Sequence, residues 1–68
     1  MISFNKPSNL DGAKLIDELI AAGVEIIGND AVAHLGKKAP SVNGDELLLD
    51  IEESDKVKAA AVVAAHNG

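Results

Sequence analysis

"SVNGDELLLDI", residues 41–51, is the stretch on which the fold turns. Asn43-Gly44 is the strongest short-range hairpin signal in the chain, because both residues tolerate the positive φ that a tight turn asks of its central positions. Beyond it, Leu47, Leu49 and Ile51 fall on one side of an extended chain, and Glu46, Leu48 and Asp50 on the other. Leu48 is then either on a covered second face or exposed. A hairpin with one apolar face must bury that face against another layer, and the flanking sequence supplies two helices to do so.

Upstream, "SNLDGAKLIDELIAAG" carries the clearest helical pattern. Leu15, Ile16, Leu19 and Ile20 recur at helical spacing and form one apolar stripe. Ser8 with Asp11 three residues on resembles a capping box, aspartate standing in for glutamate. Gly23 is placed to take the left-handed conformation that closes a helix. Gly12 lies in the first turn, where glycine costs less than mid-helix. "VEII" follows directly and predicts a strand with Val24 and Ile26 inward. "MISFN", with Ile2 and Phe4 on one side, predicts a short first strand that stops before Lys6-Pro7.

The segment "GNDAVAHLGKKAP" reads two ways. Asp30 caps a single helical turn that stops at Gly36, or Val32 to Leu35 form a short strand. The turn is preferred, because alanine is a poor strand former and Asn-Asp a good cap. "GKKAP" then reads as an exposed loop. At the other end, "EESDKVKAAAVVAAHNG" predicts a final helix from Ser54, with acidic residues at its start where the helix dipole favours them. The chain is therefore expected to be one α+β domain over residues 1–68, in the order β-α-β-β-α. Its two helices would pack on one face of a short, mostly antiparallel sheet, around Leu15, Ile16, Leu19, Ile20, Val24, Ile26, Leu47, Leu49 and Ile51.

Composition narrows the function classes. The net charge is −5, from six lysines, no arginine and eleven carboxylates, so the basic face that phosphate binding needs is missing. Phe4 is the one aromatic residue, which removes base stacking as well. No cysteine is present, hence no disulfide and no thiolate metal site. The longest apolar run, Ala59 to Ala65, falls far short of the roughly 20 residues that span a bilayer. The N-terminus lacks the charged-then-apolar pattern of a signal peptide. His34 and His66 suit acid-base chemistry by type, but neither has a partner at a catalytic or metal-binding spacing. The glycines form no phosphate-binding loop, and the serines no nucleophile elbow; Ser8 and Ser54 read as helix caps. No enzyme, cofactor, metal, nucleic acid, membrane or small-molecule substrate is expected.

Two features remain as candidate sites, both for another protein or a second copy. The final helix is apolar nearly all round, with Val57, Ala61 and Ala64 on one side and Ala59, Val62, Val63 and His66 on the other. Small side chains allow close approach, so Ala59, Ala61, Val62, Ala65 and His66 are candidate contact residues. Asp50, Glu52, Glu53 and Asp55 form an acidic run, read either as a solvated connection or as a face for a basic surface of a host enzyme.

"NLDGAKLIDELIAAGV", "VNGDELLLDI" and "KVKAAAVVAAHNG", in that order, resemble small bacteriophage-encoded proteins that run from a helix ending in Ala-Gly through a hairpin to a closing helix ending near Ala-His. "GNDAVAHLGKKAP" has no counterpart in that pattern. The resemblance implies a structural or accessory part of a virion or tail, or a small host-directed factor, located in the virion or the host cytoplasm. It assigns no residue a role.

Overall fold

In a computed structural model, the described residues are 2–27 and 39–68, together with the backbone of 31–32 and 37–38. The main elements are β1 (Ile2–Asn5), α1 (Gly12–Ala21), β4 (Ser41–Asn43), β5 (Glu46–Leu49) and α2 (Lys56–Ala65). They give the expected β-α-β-β-α order. Two short strands, β2 (Ala31–Val32) and β3 (Lys37–Lys38), intervene and pair with each other.

The sheet runs β1-β5-β4, antiparallel throughout, with β5 in the centre. Ile2 lies opposite Leu49 and Phe4 opposite Leu47, so these four side chains share a face, while Ser3 and Asn5 share the other with Leu48 and Glu46. Leu47 and Leu49 are fully buried under the helices, and Leu48 is half-buried on the opposite face. The hairpin turn differs by one residue from the expectation. Asn43 pairs with Glu46, which makes Gly44-Asp45 the loop, and only Gly44 has positive φ, at 61°. Glycine at the first central position is the type II′ pattern, whose twist matches that of the strands.

Helix α1 starts later than expected. Ser8 lies in an exposed turn, and Asp11 is the N-cap, its carboxylate accepting the Lys14 N–H at 3.2 Å. The far end is a Schellman closure. Gly23, at φ 89°, donates to the Ile20 carbonyl at 3.0 Å, and Val24 donates to that of Leu19 at 2.9 Å. Val24 and Leu19 are both buried, supplying the hydrophobic contact that accompanies this motif.

Leu15, Ile16, Leu19, Val24, Leu47, Leu49 and Ile51 form one core with Ala59 and Val63 of α2; Ile2, Phe4, Leu10, Ile26 and Val62 pack against it. Both helices thus cover the same sheet face. Ile20 is a correction: it is 59% exposed. At about 100° per residue it sits roughly 40° beyond Ile16, already on the far flank of the stripe, and so clears the core. "VEII" is a second correction. Residues 24–27 belong to no helix or strand, although the Ile27 N–H donates to the Asp50 carbonyl at 2.8 Å.

The helical turn preferred for residues 30–36 is contradicted where it is described, since Ala31–Val32 is a strand paired with Lys37–Lys38. Lys37–Lys38 is likewise strand rather than loop. Cross-strand pairing there overrides alanine's low strand propensity. Asp30, residues 33–36 and with them His34 lie outside the described residues. The last helix also begins later than Ser54: a 3-10 turn, Glu53–Asp55, precedes it, and no side chain caps it.

This core predicts that Leu19→Ala and Leu49→Ala each cost on the order of 2–5 kcal/mol. Ile20→Ala should fall within about 0.5 kcal/mol of the parent, as surface substitutions do. Urea denaturation followed by circular dichroism checks all three; an Ile20 variant as damaged as the Leu19 variant would place Ile20 back in the core.

Candidate functional site

Helix α2 sits antiparallel to α1, tied at both ends. At its start, Lys58 Nζ reaches the Gly23 carbonyl at 3.5 Å, where a cation complements the C-terminal end of the α1 dipole. At its finish, His66 folds back over the first turn of α1. Its ring is buried and bonded through both nitrogens: Nε2 accepts the Asp11 N–H at 3.0 Å, and Nδ1 lies 2.6 Å from Glu18 Oε1. Accepting an N–H requires a lone pair on Nε2, so the proton resides on Nδ1 and is donated to the Glu18 carboxylate.

This arrangement completes a cap. In a capping box the residue at N3 returns a side-chain acceptor to the N-cap N–H. Here N3 is Lys14, which can only donate, and His66 takes over the missing role from the other helix. Lys14 instead donates from Nζ to the Asn67 carbonyl at 2.8 Å. Asn9 Nδ2 donates to Asn67 Oδ1 at 2.9 Å, and the Gly68 N–H donates to the Asn9 carbonyl at 2.8 Å. The chain passes so close there that a Cβ on Gly68 would lie 2.7 Å from the Asn9 oxygen and 2.8 Å from the Asp11 nitrogen.

The packing of α2 sorts the candidate contact residues. Ala59 and His66 are buried and Val62 is half-buried, so that side of the helix faces inward and is not a contact surface. Ala61 and Ala65 are exposed, as are Ala60, Ala64 and Val57. The inward face was hidden from sequence because alanine and valine occupy both sides of α2 and offer little contrast. His66, which decides the matter, carried no sequence signal beyond its place at a helix end.

The acidic run is dispersed. Asp55 faces Lys58 at 3.6 Å and Glu53 faces Lys56 at 4.0 Å, while the Asp50 carbonyl accepts from Ile27. Glu52 and Glu53 are exposed, Asp50 and Asp55 half-buried. Two of the four carboxylates thus have a lysine alongside, and among the described residues no three His, Cys, Asp or Glu side chains gather to hold a metal ion. No helix of the described residues is long and apolar enough to cross a membrane.

Sequence reasoning missed the concave feature altogether. A groove of about 370 Å³ runs between β1 and α2, lined by Ser3, Phe4, Asn5, Ala60, Val63 and Ala64. β1 is an edge strand: among the described residues it pairs with β5 alone. The Lys6 N–H bonds the Asp45 carbonyl at 2.9 Å, and Lys6 lies opposite Asp45 in the continuing register. Bonded and non-bonded pairs alternate along an antiparallel ladder, so Phe4 and Ile2 also bond β5. The N–H and C=O groups of Ser3 and Asn5 therefore point away from the sheet, along the groove. The polar-apolar alternation of "ISFN" was the available signal; that its polar members stood on an edge was not readable.

No protein family, curated protein or solved structure matches the chain.

The bonding at His66 makes two expectations. Nitrogen-15 correlation spectra at neutral pH should show the Nδ1–H tautomer, and an Nε2–H form would contradict the assignment. His66→Ala should lower stability by about 1–3 kcal/mol, through the lost packing of a buried ring together with its two hydrogen bonds. Glu18→Gln should cost less, because its amide oxygen can still accept from Nδ1.

Proposed function

We propose that this chain is a non-catalytic protein-interaction module that docks through the outer edge of β1 and the adjoining wall of α2. One observation carries the reading: the outward N–H and C=O groups of Ser3 and Asn5 lie beside an uncharged groove walled by Ala60, Val63 and Ala64. An edge strand of this kind is a template for strand addition, in which an incoming extended segment gains main-chain hydrogen bonds and seats alternate side chains in adjacent pockets. A segment paired with β1 would turn every second side chain toward α2. There the small Ala60 and Ala64 leave space for an aliphatic group.

Membership of a phage virion or tail is supported by the sequence resemblance alone. It agrees with docking as the mode of action, since accessory proteins of that kind work by attachment. The acidic run is the weaker candidate for the same task, because lysines already stand beside Asp55 and Glu53.

Docking at an uncharged edge should be insensitive to salt, whereas carboxylate-driven binding should fade as screening increases. The test is capture of partners from native cell lysate on the immobilised chain at low and high salt, followed by mass spectrometry. Proteins held by the parent chain at both salt levels should be lost from Ser3→Pro and Ala64→Glu variants. An unchanged set on both variants would move the docking site elsewhere, and capture confined to low salt would favour the carboxylates.

A further inference from the structure

We infer that the segment the β1 edge takes is β1 of a second copy, paired antiparallel about a two-fold axis through Phe4. This deepens the docking reading above and rests on it. The argument begins with hydrogen-bond parity. Ser3 and Asn5 direct their backbone groups outward while Phe4, between them, bonds β5. When two such strands meet antiparallel, Ser3 of each falls opposite Asn5 of the other and Phe4 opposite Phe4. Two bonded pairs then flank one non-bonded pair, which is the alternation a regular ladder requires. All four outward N–H groups find carbonyls, and β1-β5-β4 becomes half of a continuous six-stranded sheet.

Charge points to the same occupant. The chain carries −5, so two copies repel wherever their carboxylates approach. The wall formed by Ser3, Phe4, Asn5, Ala60, Val63 and Ala64 holds no ionisable side chain, and there two like-charged copies can meet without that repulsion. A basic partner, by contrast, would be drawn to the carboxylates and away from this wall. Phe4 is half-buried in the single chain, and the two-fold would cover the remainder with its own equivalent. The two α2 helices would then lie side by side over the joined sheet, where exposed Ala60 and Ala64 permit close approach.

The pairing closes rather than propagates. On the opposite edge, β4 follows Pro40, and the same alternation leaves only Val42 with its backbone groups directed outward. A two-fold contact uses the β1 edge of both copies and, among the described residues of this sheet, leaves no equivalent edge to extend a filament. The wall is small, since a ten-residue helix is only about 15 Å long. A contact of that length falls at the small end of specific interfaces, so association is expected to be weak and to appear only at high concentration.

The deciding experiment combines sedimentation velocity with amide hydrogen exchange on the intact chain, from about 10 µM to about 1 mM. The inference expects a dimer at the upper end, with exchange at Ser3 and Asn5 slowed about tenfold on association and Phe4 nearly unchanged. Ser3→Pro removes an outward N–H that the fold does not use, and should remain folded by circular dichroism yet monomeric. Should that variant unfold, the paired substitution Ser3→Cys, Asn5→Cys replaces it. The chain has no cysteine of its own, opposite positions in a bonded pair come within disulfide range, and a bridge from position 3 of one copy to position 5 of the other, found by peptide mapping, marks this register. Oxidation should then yield a covalent dimer, and failure to form one at concentrations where the chain associates would overturn the register. A chain that stays monomeric with fast exchange at Ser3 and Asn5 would overturn self-pairing while leaving the edge open to a foreign strand. Protection of both amides in the dilute monomer would overturn the docking reading as well. A dimer undiminished in Ser3→Pro would place the contact away from β1.

Discussion

The imidazole of His66 stands where the end of α2 meets the beginning of α1, and it answers two needs with one ring. Asp11 must cap α1, and its own N–H would be an orphan there because the residue at N3 is a lysine. Nε2 of His66 accepts that N–H, and Nδ1 donates its hydrogen bond to Glu18 about two turns further along. The requirement on α2 is just as specific. A helix of alanine and valine has no strong apolar side of its own, so packing energy alone discriminates poorly between its possible rotations. A buried ring bonded at both nitrogens tolerates only one of them.

The rest of the C-terminal segment reinforces this clasp. Asn67 meets Asn9 and Lys14, and Gly68 fits against Asn9 and Asp11 where no side chain would. With Lys58 on the Gly23 carbonyl, α2 is held against α1 at both ends by polar contacts and along its middle by Ala59 and Val63. Polar groups therefore decide orientation here, while apolar burial supplies most of the stabilisation. Among the described residues every buried side-chain nitrogen and oxygen has a partner, so this division leaves no buried side-chain polar atom unmet.

Fixing α2 in this way also fixes what lies beside it. The helix packs against β1, and the groove between them is lined by the small Ala60 and Ala64. Larger residues at those positions would seal the edge of the sheet. Both edges are otherwise kept short, β1 by Lys6-Pro7 and β4 by Pro40, which is how small sheets limit indiscriminate pairing. What stays open is a brief, uncharged stretch with two residues' worth of unpaired backbone, suited to one well-registered contact.

Local chemistry alone was enough for much of the fold. The stripe Leu15, Ile16, Leu19, the glycine closure at Gly23 and the alternation of Leu47, Leu49 and Ile51 are periodicities and φ requirements that a few neighbouring residues dictate. Each appears in the structure with little displacement. Tertiary structure decided whatever depended on a partner distant in the chain. The N-cap at Asp11 rather than Ser8 is secured by His66, 55 positions away. Residues 24–27 join no strand, although the Ile27 N–H reaches the Asp50 carbonyl from across the fold. Ala31–Val32 took strand form from its pairing with Lys37–Lys38. The inward side of α2 and the open edge of β1 belong to the same class. Neither a helix without contrast nor a strand without its neighbours carries the information that places it, because orientation and edge position are properties of packing and not of the segment itself.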